Sequence, residues 1–481
     1  MMSNERHSTN QPNDSRPHEG RAPGRKQSRL IFLNLRRKRE LFPSKSAPRV
    51  LLLQGPVGPF FRMAQALLNE SGFDAWRVCF NIGDRLFAQR GKTLNFSGTA
   101  EGWDAWLAEM LSAHGFDFVV LFGCERQVHR VAIACCERLG VPVICLEEGY
   151  LRPGNITLEF GGNNWRSPLA GKLPPRSYSG RYADRRKGVA YPSSFSAMAT
   201  YAFLYFSLRN LFSTASERKL FHKQKRTLVS EAFYWIKNYY RKFRNLSANY
   251  RCVEYLLEHH ERKYFLIPLQ VHDDSQLGLA AGSWNSQRLI LKSIVSFARS
   301  APASHQLVFK IHPLERGHSR DRQFIEQVSK LNDVADRVHI IDGGSLGLLT
   351  RNAAGVVTIN STSGLVAIHH GTPLAVMGQA IYRHPDLAFC VNKGIELDGF
   401  WNCKKVAPAK VRSRYLSWLH ERCLQPGDFY AYEGMEVAIR ALRDRLLEAV
   451  GRGRGEQGRP PARVLSASAA TRAAKPEVPR A

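Results

Sequence analysis

No stretch of this chain approaches the ~20 consecutive apolar residues that a membrane-spanning helix needs, so none is expected to cross a bilayer. The first residues carry charge with no apolar core behind it, which argues against a secretory signal. None of the nine cysteines forms a Cys-x-x-Cys pair, and Cys79, Cys124 and Cys145 sit in apolar, strand-like runs. Buried, reduced thiols are therefore expected, rather than a disulfide framework or a zinc site. The adjacent Cys135 and Cys136 read as helix packing. Gly-x-Gly-x-x-Gly is missing, as is a phosphate-loop lysine, so the first glycine-rich loop is neither a dinucleotide site nor a P-loop. The chain is also short of acid, with 41 Asp and Glu against 69 Lys and Arg, for a net charge of +28. No helix-turn-helix, zinc-finger or RNA-binding aromatic pattern accompanies that charge, so nucleic acid is not the expected partner.

What is present is enough apolar residue for real cores, 44% of 481 positions, in two or three domains. Residues 1–50 hold 12 basic and 4 acidic residues, and residues 451–481 hold 7 and 2. Both ends are rich in Pro, Gly, Ser and Arg and lack periodicity, so 1–49 and 451–481 are expected to be disordered tails. A second basic region lies inside the chain. Between Arg209 and Lys263 there are 13 Lys and Arg against 5 Asp and Glu, interleaved with Phe233, Tyr234, Trp235, Tyr239, Tyr240 and Phe243. Basic and aromatic residues on helices suit an anionic lipid surface. A solvated charged face over an ordinary aromatic core explains the same composition.

The remainder alternates strand and helix. Leu51–Gln54, Ala75–Phe80, Phe116–Phe122 and Val141–Leu146 read as strands, separated by helical stretches at Phe60–Ser71, Trp103–His114 and Gln127–Leu139. The pattern repeats from Tyr264. Strands at Gln306–Ile311, Val338–Ile341, Gly355–Ile359 and Leu374–Met377 alternate with helices at Arg288–Ala298 and Phe324–Leu331. Such alternation predicts parallel sheets covered by helices. The expected fold is α/β: two Rossmann-like halves, 50–195 and 264–450, in a GT-B-like arrangement, with basic and aromatic helices inserted at 196–263. The last helix, roughly Tyr430–Val450, could cross back onto the first half.

Ligands of open parallel sheets lie beyond the carboxyl ends of the strands, and the polar motifs fall there. Lys310-Ile311-His312-Pro313 closes a strand with two groups that suit a phosphate. Asn360-Ser361-Thr362-Ser363-Gly364 joins a strand to a helix N-terminus; the hydroxyls suit ordinary capping and an anion alike. Glu147-Glu148-Gly149-Tyr150 offers a candidate general base, and alternation along an extended chain leaves only one of the two glutamates facing a cleft. Gln270-Val271-His272-Asp273-Asp274 offers a carboxylate able to attack a sugar anomeric carbon, or a turn. Asp-x-Asp, the metal-holding signature of many sugar transferases, does not occur, and no metal or other cofactor is expected.

Together LLLQGPVGPFF, FNIGDR, EEGYLRP, QVHDDSQ, KIHPLERGH and TINSTSGLVAIHHGTPLAVMG resemble the KpsS-type capsule polysaccharide biosynthesis and export proteins. The resemblance runs from about residue 50 to about 400. These are β-Kdo transferases that begin the lipid-linked linker of group 2 capsules. The pattern is also similar to bacterial CMP-sialic acid transferases, through Glu147-Glu148-Gly149, His312-Pro313 and Ser361-Thr362. The resemblance implies CMP-β-Kdo as donor, a retaining transfer and a phosphatidylglycerol-type acceptor, lyso or diacyl. It implies Asp274 as nucleophile and Glu148 as acid/base. Lys310, His312, Ser361 and Thr362 would hold the CMP phosphate. Arg152, Asn360 and Gln270 would support the sugar carboxylate or the phosphate. The enzyme is then expected in the cytoplasm, peripheral on the inner membrane, near other capsule biosynthesis and export proteins. A different CMP-keto-sugar donor, or a non-catalytic assembly factor, are the alternatives.

Overall fold

The computed structural model describes residues 47–180, 189–214, 217, 220, 228–271, 277, 281–316 and 320–455. Most of both expected tails lies outside these residues, as does Asp274.

Two sheets dominate. The first comprises β1 (Arg49–Leu52), β2 (Asp74–Cys79), β3 (Thr93–Asn95), β4 (Phe118–Phe122), β5 (Val143–Glu148) and β6 (Asn155–Phe160), with helices α1 (Phe60–Glu70), α2 (Ile82–Leu86), α3 (Trp103–His114) and α4 (Gln127–Leu139) between strands. Its first five strands are parallel, and β6 turns back antiparallel to β5. Alternate side chains feed the two covered faces. On β1, Val50 and Leu52 pack on one side and Leu51 on the other; on β4, Val120 and Val119 part in the same way. Each fully buried aliphatic or aromatic side chain contributes about 1.5–3 kcal/mol. The unbroken apolar runs of the sequence are what a sheet covered on both faces requires.

The insertion follows as α5 (Ser194–Phe212), α6 (Leu228–Arg244) and α7 (Leu246–His259). α5 is anchored on the first half: the Tyr205 hydroxyl accepts from Asn81 Nδ2 (2.9 Å) and donates to Asp84 (3.3 Å). The second sheet holds β7 (Tyr264–Pro268), β8 (Gln306–Lys310), β9 (Val338–Ile341), β10 (Gly355–Thr358), β11 (Leu374–Val376) and β12 (Phe389–Cys390). Between these strands run α8 (Ser286–Ser300), α9 (Asp321–Leu331), α10 (Leu346–Arg351) and α11 (Ser363–His370). It is parallel throughout, in the order β12-β11-β10-β7-β8-β9.

After α12 (Ala409–Cys423) the chain returns to the first half. β13 (Leu424–Pro426) pairs antiparallel with β6, and α13 (Tyr432–Gly455) buries Met435, Ala438, Ile439 and Leu442 against Phe60, Phe61, Ala64 and Leu68 of α1. The last helix thus crosses back, and the segment from Leu424 onward packs with the first half rather than with the 264–450 unit in which it was placed. Neither β6 nor β13 is announced by the sequence, because both join the sheet antiparallel, β6 between β5 and β13 and β13 at the edge, with partners chosen by topology.

Polar contacts clamp the halves together. Asn164, after β6, donates from Nδ2 to the Asn360 carbonyl (3.3 Å) and accepts at Oδ1 from Ile381 N–H (3.0 Å). The Tyr178 hydroxyl donates to Ser417 Oγ (3.0 Å).

All nine cysteines are free, six of them buried. Burial pushes the Cys79 and Cys136 thiols up to about 12, which makes them poor nucleophiles.

Candidate active site

In the second half, β8, β7 and β10 are adjacent strands, so their carboxyl ends fall within about 10 Å of one another. Lys310 and His312 leave β8, Gln270 leaves β7, and Asn360, Ser361 and Thr362 leave β10. Gln270 Nε2 donates to Asn360 Oδ1 at 3.1 Å, with Asn360 fully buried. The same Asn360 accepts at its carbonyl from Asn164 of the first half, so this cluster forms part of the seam.

The helix start here is tightly built. Ser361 Oγ accepts from Ser363 N–H (3.2 Å) and so caps α11, while Thr362 makes no side-chain cap bond. The Tyr382 hydroxyl donates to the Ser361 carbonyl (2.5 Å), and its ring lies where a Cβ on Gly364 would sit, at 2.3 Å. Glycine at 364 is thus demanded by Tyr382 packing, whatever the turn binds.

His312 is a donor in waiting. Its Nδ1 accepts from Leu314 N–H (3.2 Å), which leaves the proton on Nε2. Burial, then the charges of Lys310, Arg152 and Arg316, push its pKa down to about 4, so the ring is neutral at pH 7. Lys310 donates to the Gly343 carbonyl (2.8 Å), and burial, then Arg316, lower its pKa to about 8. One of its three N–H groups is therefore directed away from the β8 exit, toward the end of β9.

In the first half, β5 runs to Glu148, two residues further than the sequence suggests, so both glutamates stand on the strand itself. They diverge as alternation requires. Glu147 shares its surroundings with Cys124 and Arg126, and Glu148 with Tyr430, Asp428 and Arg152. Glu148 is half-buried. Burial is the main reason its carboxyl is held above the ordinary range, with Asp428 adding to it; Arg152 and a hydrogen bond from the Tyr430 hydroxyl pull the other way. Arg152 lies 3.9 Å from Glu148, and Arg152 Nε donates to the Gly149 carbonyl (3.2 Å). Gly149 is held by close approach, because a Cβ there would meet the Asn155 carbonyl at 2.1 Å.

Arg152 links the halves electrostatically. Its guanidinium is felt both at Glu148 in the first half and at His312 in the second. The candidate residues thus form two connected groups: Glu148, Arg152, His312 and Lys310, and Gln270, Asn360, Ser361 and Thr362.

Sequence reasoning passed over Tyr430, Asp428, Asn164 and Arg126. Arg126 donates to Gln54 Oε1 (3.2 Å) and to the Gly55 carbonyl (3.0 Å), tying the exit of β4 to that of β1. Its position just past an apolar strand was a usable signal. Tyr430 and Asp428 arrive only because the chain returns to the first half, and nothing local to them announces that.

Among the described residues, no three His, Cys, Asp or Glu side chains gather as metal ligands, and no helix is long and apolar enough to cross a membrane.

Residues 117–430 match the family described as "Capsule polysaccharide biosynthesis protein". The chain is 32% identical over 381 residues to the capsule polysaccharide export protein KpsS of Escherichia coli, covering 78% of this chain and 95% of that one. It is 30% identical over 384 residues to the capsule polysaccharide modification protein LipB of Neisseria meningitidis serogroup A, covering 74% and 86%. Among solved structures it is similar to KpsC of Thermosulfurimonas dismutans, a β-Kdo 2,7 transferase, at 13% identity and a TM-score of 0.35 over 83% of this chain and 99% of that one.

Proposed function

The chain belongs to the capsule polysaccharide biosynthesis protein family, and from that premise we propose that it is a retaining glycosyltransferase. In this reading it moves β-Kdo from CMP-β-Kdo to a phosphatidylglycerol-type lipid and so starts the linker of a capsule polysaccharide. It needs no metal and works peripherally on the inner membrane, in the cytoplasm, beside other capsule biosynthesis and export proteins.

The observation that carries the reading is Glu148: a carboxyl with a raised pKa, at a strand end, sharing Arg152 with a neutral His312 across the seam. A base works best when its pKa approaches the operating pH, and burial moves Glu148 that way. In the first step the Asp274 carboxylate attacks the anomeric carbon of Kdo, the glycosidic C–O bond to CMP breaks, and CMP leaves with the electron pair. In the second, Glu148 takes the proton of the acceptor hydroxyl while its oxygen attacks the same carbon and Asp274 is released. His312 donates its Nε2 proton to the departing phosphate as a hydrogen bond. Lys310, Ser361 and Thr362 add positive charge or donors at the same place, where the N-terminus of α11 favours an anion. Arg152, Asn360 and Gln270 orient the sugar carboxylate or the phosphate.

The test is incubation of purified protein with CMP-Kdo generated in place and a lyso-phosphatidylglycerol analogue, followed by mass spectrometry. One Kdo added per acceptor is expected, with CMP-sialic acid giving none. An unmodified acceptor with active CMP-Kdo present contradicts the reading, and transfer of sialic acid instead would reassign the donor.

A further inference from the structure

One face of the insertion is apolar and exposed, and beside it lies a basic cavity that contains none of the candidate active-site residues. At 3.6 residues per turn, Phe233, Ile236, Tyr239, Tyr240 and Phe243 share one side of α6, and each is between 52% and 68% exposed. Exposed aromatic and aliphatic side chains in this number on one helix exceed the scatter expected of a solvated face. The opposite side is fixed to the protein, where Asn238 Nδ2 donates to the carbonyls of Pro313 (3.0 Å) and Leu314 (3.2 Å). The apolar face is therefore held outward.

Along the edge between those two sides run Lys237, Arg241 and Arg244. With Arg320 and Arg322 at the start of α9 they line a cavity of about 460 Å³, where among the described lining residues Glu326 is the one carboxylate against five cations. A second, smaller pocket beside it shares Arg241, Arg244 and Arg322 and is also lined by Glu315, Arg316 and Asp342, with Arg316 ion-paired to Asp342 at 3.2 Å. A cation–π contact ties the basic edge to the apolar face: Arg244 lies 5.8 Å from the Tyr240 ring centre. Several arginine guanidiniums around one open cavity match a phosphate, which accepts the paired N–H donors of each. A soluble phosphate would find no use for the apolar rim, whereas a phospholipid places its phosphate and its acyl chains at that spacing.

We infer that the cavity between α6 and α9 holds the headgroup phosphate of an anionic phospholipid while the exposed face of α6 lies in the membrane interface. This deepens the proposed function by naming a lipid site on the helix that Asn238 ties to the Pro313 and Leu314 carbonyls, next to His312 in the chain. It depends on that reading only for the lipid's role as acceptor.

Flotation with vesicles of phosphatidylglycerol in phosphatidylcholine, against pure phosphatidylcholine, tests it without any donor present. The wild type is expected to float with the anionic vesicles alone. The pair Arg320→Gln and Arg322→Gln should weaken this by about ten- to thirty-fold, and Tyr240→Ser with Phe243→Ser comparably, with unchanged thermal melting in both. Lys404→Gln with Lys405→Gln removes the same charge elsewhere on the surface and should cost at most about two-fold. Equal losses in the two charge pairs, or a wild type that does not float, overturn the inference. So does calorimetry in which inorganic phosphate binds the cavity while anionic vesicles do not. A protein that transfers to soluble lyso-acceptor yet fails to float sinks this inference alone; one that floats without transferring sinks the transferase reading alone.

Discussion

The two sheets end differently where they meet. The strand ends of the first half present a carboxylate with a raised pKa, two arginines and a tyrosine hydroxyl that arrives from the C-terminal return. Those of the second half present a neutral imidazole, a lysine, hydroxyls and a helix N-terminus. The first set can move a proton; the second can hold an anion without moving one. Under the proposed function this difference is a division of labour, with the acceptor activated from one side and the leaving phosphate received on the other.

Substitutions that respect this division should separate binding from chemistry. The largest effect is expected from Glu148→Gln, which keeps the shape and removes the base. Transfer should fall by about 10²–10⁴, measured by mass spectrometry of the acceptor, while CMP affinity stays close to wild type. Asp274→Ala should come next, because the covalent route then has no nucleophile. His312→Ala should act on the other side, weakening CMP by about ten-fold or more in calorimetry through the loss of a hydrogen bond to a charged group. Ser361→Ala removes one donor and the cap of α11. It should cost about 1 kcal/mol of stability in thermal denaturation and a few-fold in CMP affinity.

The smallest expected effect is the most diagnostic for Arg152, which touches both sides. Its charge favours the ionised form of Glu148 and so lowers that pKa; removing it lets the pKa rise further. A base acts only when ionised, so the acidic limb of kcat/KM should move to higher pH in Arg152→Gln. The pair is partly exposed and screened, so a small shift in that direction is expected from a pH profile. A limb that moves to lower pH would assign the acid/base to another group.

Much of the fold was legible because apolar runs in covered parallel strands and 3.6-residue helical spacing are strong signals. Val119-Val120-Leu121 and Phe265-Leu266-Ile267 fall on central strands as read. The antiparallel additions were not legible: Leu424–Pro426 finds its partner Asn155–Phe160 across more than 260 residues of chain, and Asn155–Phe160 turns back on Val143–Glu148. The same holds at the site. Local residue types at strand ends pointed to the Glu147-Glu148 pair, to Lys310 and His312 and to the Asn360–Gly364 turn, while the choice of Glu148 rested on the resemblance. Tyr430, which donates to Glu148, could not be named without knowing that the chain comes home to the first half. The pKa directions were equally hidden, since desolvation dominates those of His312 and Lys310, and burial is a property of packing.

The division of labour is tested most directly by titrating CMP into Glu148→Gln and His312→Ala side by side and assaying both for transfer. The account predicts that Glu148→Gln binds CMP like the wild type and transfers nothing measurable, and that His312→Ala binds it about ten-fold more weakly. Loss of CMP affinity in Glu148→Gln equal to that in His312→Ala would contradict it.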